Sequence, residues 1–205
     1  MSRLLLFDVD STLTNEEVID LLASYAHIVD EVQKITELAM NDTIDFRDAL
    51  RKRVSLLEGL PSSVLLEVGK QITLTNGASE LISNLQSKGD EVAVVSGGFT
   101  EVITPLMEKL KIKHYRANNL QIIDNKLTGL TEGPIIDRVA KGSFLLELKL
   151  MLQPTQIIAI GDGANDVEMI QLADVGIAFC AKPPLKDAAD IVIDKRDLRE
   201  IFKYL

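Results

Sequence analysis

Arg3–Thr14 reads RLLLFDVDSTLT. Four apolar residues, Leu4 to Phe7, run straight into Asp8 and Asp10, with Val9 between the two acids and hydroxyls but no base behind them. An unbroken apolar run of that length suits a strand buried on both faces. Residues two apart in an extended chain point to the same side, so both carboxylates meet at the strand's carboxyl end. That end is where open α/β sheets bind ligands. Like charges held together repel, and either a bound cation or a proton kept by one of them relieves the repulsion. A turn cap is the plain alternative for such aspartates. A calcium loop fails, because Leu13 stands at its glycine position and Ile19 at its bidentate glutamate.

Working outward, short apolar runs predict further strands at Glu91–Val95, Gln156–Ile160, Val175–Phe179 and Ile191–Ile193. Helical spacing falls between them at Ala78–Lys88, Thr100–Leu110 and Asp166–Leu172. The alternation predicts an α/β fold, a Rossmann-like parallel sheet with helices on both faces. Two short strands around Asp124-Asn125 predict a peripheral hairpin. Residues 15–72 break the rhythm. Val18, Leu22, Tyr25, Val29 and Val32 recur at helical spacing, a second pattern runs from about Ile44 to Leu57, and Pro61 opens a third. The expected organisation is a core of 1–14 and 73–205 with an all-helical module, 15–72, inserted beside the acidic pair as a lid.

The 205 residues carry a net charge of −9, which excludes nucleic acid as the expected partner, since a phosphate backbone needs clustered Lys and Arg. A small anion remains possible, because a few placed cations in one cleft override a negative surface. No apolar run reaches the roughly 18 residues of a membrane span, and no signal-peptide core follows Arg3. Cys180 is the only cysteine, so no internal disulfide forms, which fits a reducing cytoplasm. It is a poor nucleophile candidate, since neither His27 nor His114 has motif-like neighbours. Nothing reads as a docking motif, and a monomer and a homodimer fit equally.

If Asp8 attacks phosphorus, the rest of the chain must supply a proton carrier, a metal ligand set, donors for phosphoryl oxygens and a nearby cation. VAVVSGGF runs a strand into Ser96-Gly97-Gly98, whose hydroxyl and amides suit phosphoryl oxygens, or simply make a turn. IIAIGDGANDVEM delivers Asp162, Asn165 and Asp166 from another strand end; such acids suit a hard cation, and Asp166 also suits a helix cap. Lys141 precedes a predicted helix, where a solvated surface role is the plain alternative. On the second insert helix, Phe46, Ala49, Leu50, Val54 and Leu57 form one apolar arc. Arg53 falls inside it, and Arg51 and Lys52 outside. A guanidinium on a buried face needs an anion: an internal Asp or Glu, or a ligand carboxylate.

The order Asp8-x-Asp10-Ser-Thr, Ser96-Gly-Gly, Lys141 and Gly161-Asp-Gly-Ala-Asn165-Asp166 resembles the haloacid dehalogenase superfamily, over nearly the whole chain. Within it the chain is most similar to the branch acting on O-phospho-L-serine, also through RKRVSLL in the insert. That resemblance implies Asp8 as nucleophile and Asp10 as general acid and base. It implies magnesium on the Asp8 and Asp162 carboxylates and the Asp10 carbonyl, with Asp166 behind them. Ser96, Gly97 and Lys141 would hold the phosphoryl group, with Asn165 beside it. Glu17 would meet a substrate ammonium and Arg53 a substrate carboxylate; composition alone makes Glu16 as eligible as Glu17. The implied reaction is Mg²⁺-dependent hydrolysis of phosphoserine, the last step of serine biosynthesis.

Two positions depart from the family pattern. Asn76 stands where proline is common, which should alter turn rigidity at the hinge, and Val9 where phenylalanine is common, a packing position. Transfer to an alcohol such as homoserine, a broader small-phosphate phosphatase, and a signalling receiver phosphorylated at Asp8 remain alternatives at this point.

Overall fold

The computed structural model of the chain describes residues 2–41 and 43–205, so Met1 of the expected core and Asp42 of the expected insert lie outside it. Among the described residues, seven strands form one sheet. They are β1 (Leu4–Phe7), β2 (Glu91–Phe99), β3 (His114–Ile123), β4 (Lys126–Glu132), β5 (Ile157–Gly161), β6 (Val175–Phe179) and β7 (Ile191–Ile193), in the order β4-β3-β2-β1-β5-β6-β7. All neighbours pair in parallel except β3 and β4. β1 is central, with Phe7 opposite Val94 on one side and Ile160 on the other. The chain leaves β1 for opposite sides of the sheet, so its carboxyl end is the topological switch point.

Alternation along β1 assigns the two faces. Leu5 and Phe7 pack with α5 (Ala78–Ser87) and α6 (Thr100–Lys109). Leu4 and Leu6 pack with α7 (Arg138–Leu152) and α8 (Val167–Leu172). The first cluster continues without a break into α1 (Val18–Ala26), α3 (Phe46–Ser55) and α4 (Ser63–Gln71), through Val18, Leu22, Leu50, Val54 and Val68. The helical segment is therefore seated on the same apolar body as the sheet.

Four local expectations change. The first helical pattern of the insert is two helices, α1 and α2 (Val29–Met40), separated at His27. His27 adopts φ 60°, and the next amide, Ile28 N–H, donates back to the Ala23 carbonyl, the left-handed stop that ends many helices. Tyr25, expected on the apolar face, is 36% exposed. The hairpin is continuous with the sheet: β3 pairs with β2 from His114 before turning through Asp124 (φ 50°) and Asn125 (φ 60°), a pair of positive-φ residues suited to a type I′ turn. Lys141 lies inside the first turn of α7 rather than ahead of it.

Two antiparallel backbone stretches connect the helical segment to the sheet. Thr14 bridges Leu74, Asn15 N–H donates to the Thr73 carbonyl at 3.0 Å, and Thr75 N–H to the Leu13 carbonyl at 3.0 Å. The Glu16 carboxylate clamps them by accepting from Thr73 N–H and its hydroxyl at 2.8 and 2.6 Å. Asn76, at the position flagged for turn rigidity, is pinned by the C-terminal segment: its carbonyl accepts from Leu198 N–H and its amide donates to Asp197. Among the described residues no helix is long and apolar enough to cross a membrane.

Candidate active site

Past Phe7 the chain makes a tight turn over Val9–Leu13, with Ser11 left-handed at φ 58° and Thr14 N–H closing onto the Val9 carbonyl. The turn buries Val9 and Leu13 and leaves Asp8 and Asp10 at the sheet's edge. Asp10 Oδ1 accepts from Val18 N–H at 3.2 Å, at the first turn of α1, where a carboxylate is favoured. Across from it, Ser96-Gly97-Gly98 form the bulge near the end of β2. A Cβ on Gly98 would stand 2.8 Å from Asp10 Oδ2, so only glycine lets the two loops approach. Ser96 Oγ accepts from Gly98 N–H at 2.8 Å, which directs the hydroxyl's own hydrogen elsewhere.

Lys141 is fully buried and joins two acids, with Nζ 2.5 Å from Asp8 Oδ1 and 2.6 Å from Asp166 Oδ1. The other Asp166 oxygen accepts from the amides of Asp162 and Gly163, both at 3.1 Å. Asp166 therefore braces the loop after β5 and orients the lysine, with both oxygens engaged.

One small enclosed cavity gathers these strand ends and the helical segment. Asp8, Asp10, Glu17, Arg53, Gly97, Asp162 and Asn165 line it, joined by Ile19, Phe46, Leu50 and Gly98. Ser96, Lys141 and Asp166 stand behind its wall, fully buried. Glu17 turns into the cavity, accepting from the Ser11 hydroxyl at 2.6 Å, whereas Glu16 is spent on Thr73. Arg53 is 3% exposed; it donates to Thr36 Oγ1 at 3.0 Å and the Ala49 carbonyl at 3.3 Å, with the Phe46 ring 5.9 Å away. Among the described residues it forms no ion pair, although the helix arc demanded an anion. Among the described residues, Asn165 Oδ1 is buried without a hydrogen-bond partner.

The sequence did not mark Ile19, Phe46, Leu50 or Thr36 as parts of this site. Phe46 and Leu50 read only as an apolar arc, and Ser11 and Gly98 lay within motifs without a role of their own. Nor did the sequence show that Arg47 of α3 reaches Asp137, the N-cap of α7, at 2.5 Å, an ion pair between the helix of Arg53 and the helix of Lys141.

The site holds more buried acid than base. Burial pushes the Asp8 carboxyl up to about 7, against the pull of Lys141. Burial, then Glu17 and Asp8, raise Asp10 far above the usual carboxylate range. Asp162 is raised likewise by burial and by Asp8. Glu17 is raised by burial, against the Ser11 hydrogen bond. Burial lowers the Lys141 ammonium, but Asp166 and Asp8 outweigh it, so the lysine stays charged. Asp8, Asp162 and Asp166 bring oxygens within 4.8 Å of one another. An all-oxygen, acid-rich, buried set suits a hard divalent cation, and the surplus negative charge is what such an ion removes. With both Asp166 oxygens engaged, Asp8 and Asp162 are the carboxylates with capacity to spare.

A parallel sheet with paired aspartates at its central strand end, a buried lysine and a second acidic loop defines a hydrolase of the haloacid dehalogenase type, and the chain belongs to that family. The haloacid dehalogenase-like hydrolase family matches residues 5–171, which closes the signalling-receiver alternative. The chain is 48% identical over 205 residues to a phosphoserine phosphatase of Methanocaldococcus jannaschii, covering 99% of this chain and 97% of the relative. It is 46% identical to the phosphoserine phosphatase of Lactococcus lactis, covering 98% and 94%. A solved substrate-bound phosphoserine phosphatase complex superposes with a TM-score of 0.97 at 47% identity, covering 100% of this chain and 99% of that one. A structure described as a phospho-aspartyl intermediate analogue of phosphoserine phosphatase gives 0.96 at 48% identity, with the same coverage of both chains.

Proposed function

We propose that this chain is a Mg²⁺-dependent phosphatase that hydrolyses O-phospho-L-serine to L-serine and phosphate through an acyl-phosphate on Asp8. The observation that carries the substrate is Arg53: buried, without an ionic partner among the described residues, and lining the same cavity as Asp8. A buried guanidinium left unpaired is costly, and a substrate carboxylate satisfies it. Glu17, across the cavity, takes the substrate ammonium. Residues 15–72 act as the lid that brings both to the strand ends. A cavity of ≈ 20 Å³ supports a closed lid, since it has room for little more than a water; entry and release require opening.

Asp8 Oδ attacks phosphorus, and the bond from phosphorus to the seryl oxygen breaks. The proton that Asp10 holds through its raised pKa passes to that oxygen, releasing serine. Water then attacks the acyl-phosphate and gives a proton to Asp10, while the phosphorus–Asp8 bond breaks and restores the carboxylate. Lys141, Ser96 and the Gly97 amide hold the phosphoryl oxygens, and Asn165 offers its amide beside them. The Asp8 and Asp162 carboxylates and the Asp10 carbonyl would hold Mg²⁺, with Asp166 behind them, and the ion would supply positive charge that polarises a phosphoryl oxygen.

The test is phosphate release from O-phospho-L-serine with and without Mg²⁺, beside phosphothreonine and an aryl phosphate. Strong metal-dependent preference for phosphoserine is expected. Activity confined to the aryl phosphate would remove the substrate assignment, and O-phosphohomoserine formed on adding homoserine would make the chain a phosphotransferase.

A further inference from the structure

The phosphoryl-binding residues come from two separate pieces of chain, the Ser96–Gly98 turn and the first turn of α7. Their spacing must be set by something other than themselves. The β2–β3 ladder does not set it. Val95 pairs with Arg116 and Phe99 with Asn118, so Ser96, Gly97 and Gly98 bulge out against Ala117 alone.

Asn118 spans that gap. It is 1% exposed, lies outside every motif, and uses both ends of its side-chain amide. Nδ2 donates to the Gly97 carbonyl at 2.8 Å, and Oδ1 accepts from Ile136 N–H at 2.8 Å. The flipped amide would set carbonyl against carbonyl and N–H against N–H, so the orientation is dictated by its partners.

Each end leads to a phosphoryl contact. The Gly97 carbonyl shares one rigid peptide plane with the Gly98 N–H, and that N–H orients the Ser96 hydroxyl at 2.8 Å. Ile136 directly precedes Asp137, whose side chain caps α7 at Ala140 N–H and whose carbonyl accepts from Lys141 N–H, both at 2.9 Å. One buried amide therefore stands between the serine side and the lysine side of the phosphoryl pocket.

We propose that Asn118 is the positioning residue of that pocket, fixing the Ser96–Gly97 turn against the Lys141 helix. This rests on the phosphatase reading above. Asn118→Asp keeps the size and the acceptor for Ile136 but aims a carboxylate oxygen at the Gly97 carbonyl. Asn118→Ala releases the turn without adding charge and covers the case in which the aspartate variant does not fold. For each, kcat and KM on phosphoserine and an aryl phosphate are measured, with inhibition by inorganic phosphate and by L-serine, and the melting temperature.

The expected result is a loss of about 10- to 100-fold in kcat/KM on both substrates, up to the scale of a misplacement of about 1 Å in positioned groups. Phosphate inhibition weakens with it, while L-serine inhibition stays within about twofold. A folded variant that inorganic phosphate inhibits as well as it inhibits the parent would overturn the proposal. So would equal weakening of phosphate and L-serine, which marks general loosening. If the parent protein turns over no phosphoserine, the substrate reading fails alone. The melting-temperature shift given by inorganic phosphate with Mg²⁺ still compares parent and variants without turnover.

Discussion

The two ends of the central sheet carry the same residue type in opposite circumstances. At the amino ends, each aspartate meets donors that suit it. Asp90 accepts from the Arg3 amide at 3.0 Å and from both sides of its guanidinium fork, Asp174 from Ile157 N–H and Asp190 from Gly176 N–H, both at 2.7 Å. At the carboxyl ends, Asp8, Asp10 and Asp162 are gathered with Glu17 around one cavity, where Lys141 and Arg53 oppose them. Burial works on both groups. At Asp90 the Arg3 contacts outweigh it and the pKa falls below the ordinary value, whereas at Asp8, Asp10 and Asp162 it wins and the pKa rises. A carboxylate that closes its hydrogen bonds locally holds the fold; a set that cannot is held ready for something that enters.

Asp8→Asn should break the carboxyl-end cluster outright. Turnover falls by about 10⁴-fold or more on every phosphate ester, because an amide does not attack phosphorus; a pure sample retaining a tenth of the rate would remove Asp8 from the chemistry. Asp10→Asn slows both chemical steps by about 10²- to 10⁴-fold yet keeps the rise in melting temperature that Mg²⁺ gives. Loss of that rise would make Asp10 chiefly a metal residue. Arg53→Ala should cost phosphoserine about 10- to 100-fold in kcat/KM, the scale of lost charge-assisted hydrogen bonds, and leave an aryl phosphate within about twofold. Equal losses would make the arginine structural.

Mg²⁺ at about a hundred times its Kd should stabilise the parent by about 2.7 kcal/mol, and Asp162→Asn should erase most of that gain in calorimetry. The smallest effect belongs to the other end of the sheet. Asp90→Asn should leave turnover within about twofold and lower stability by about 1–2 kcal/mol near neutrality. The folded Asp90 pKa lies below its unfolded value, near 4, so its stabilisation is full above that value. It disappears as pH falls through the folded one. Parent and variant should converge in acid unfolding curves, and a constant gap at every pH would separate Asp90 from the Arg3 pair.

Much of this was legible in the chain. Leu4–Phe7 and Val175–Phe179 are strands at the residues their apolar runs mark, because a strand buried on both faces leaves an unbroken hydrophobic signature, and Ile191–Ile193 is a strand where its run marks it although it lies at the sheet's edge with Val192 exposed. The placement of Arg53 among Ala49, Leu50 and Val54 followed from helical period alone. His27 did not announce a helix break, since positive φ there breaks the rule for a residue with a side chain and carries no signal as a glycine would. Nor did composition separate Glu16 from Glu17; their fates differ because Thr73 and Ser11 approach from different parts of the fold.

The sequence by itself determined what is local: which runs are strands, which face of each helix is apolar, and that acids stand at strand ends. Those follow from periodicity and covalent neighbourhood. Only the tertiary structure decided which polar groups are satisfied. Asn118 reads as any polar residue until Gly97 and Ile136 close on it, and Arg53 reads as any buried cation until its hydrogen bonds, among the described residues, go to Thr36 and Ala49 and to no carboxylate. Satisfaction depends on partners tens of residues away, and the packing that brings them together is not written at either position alone.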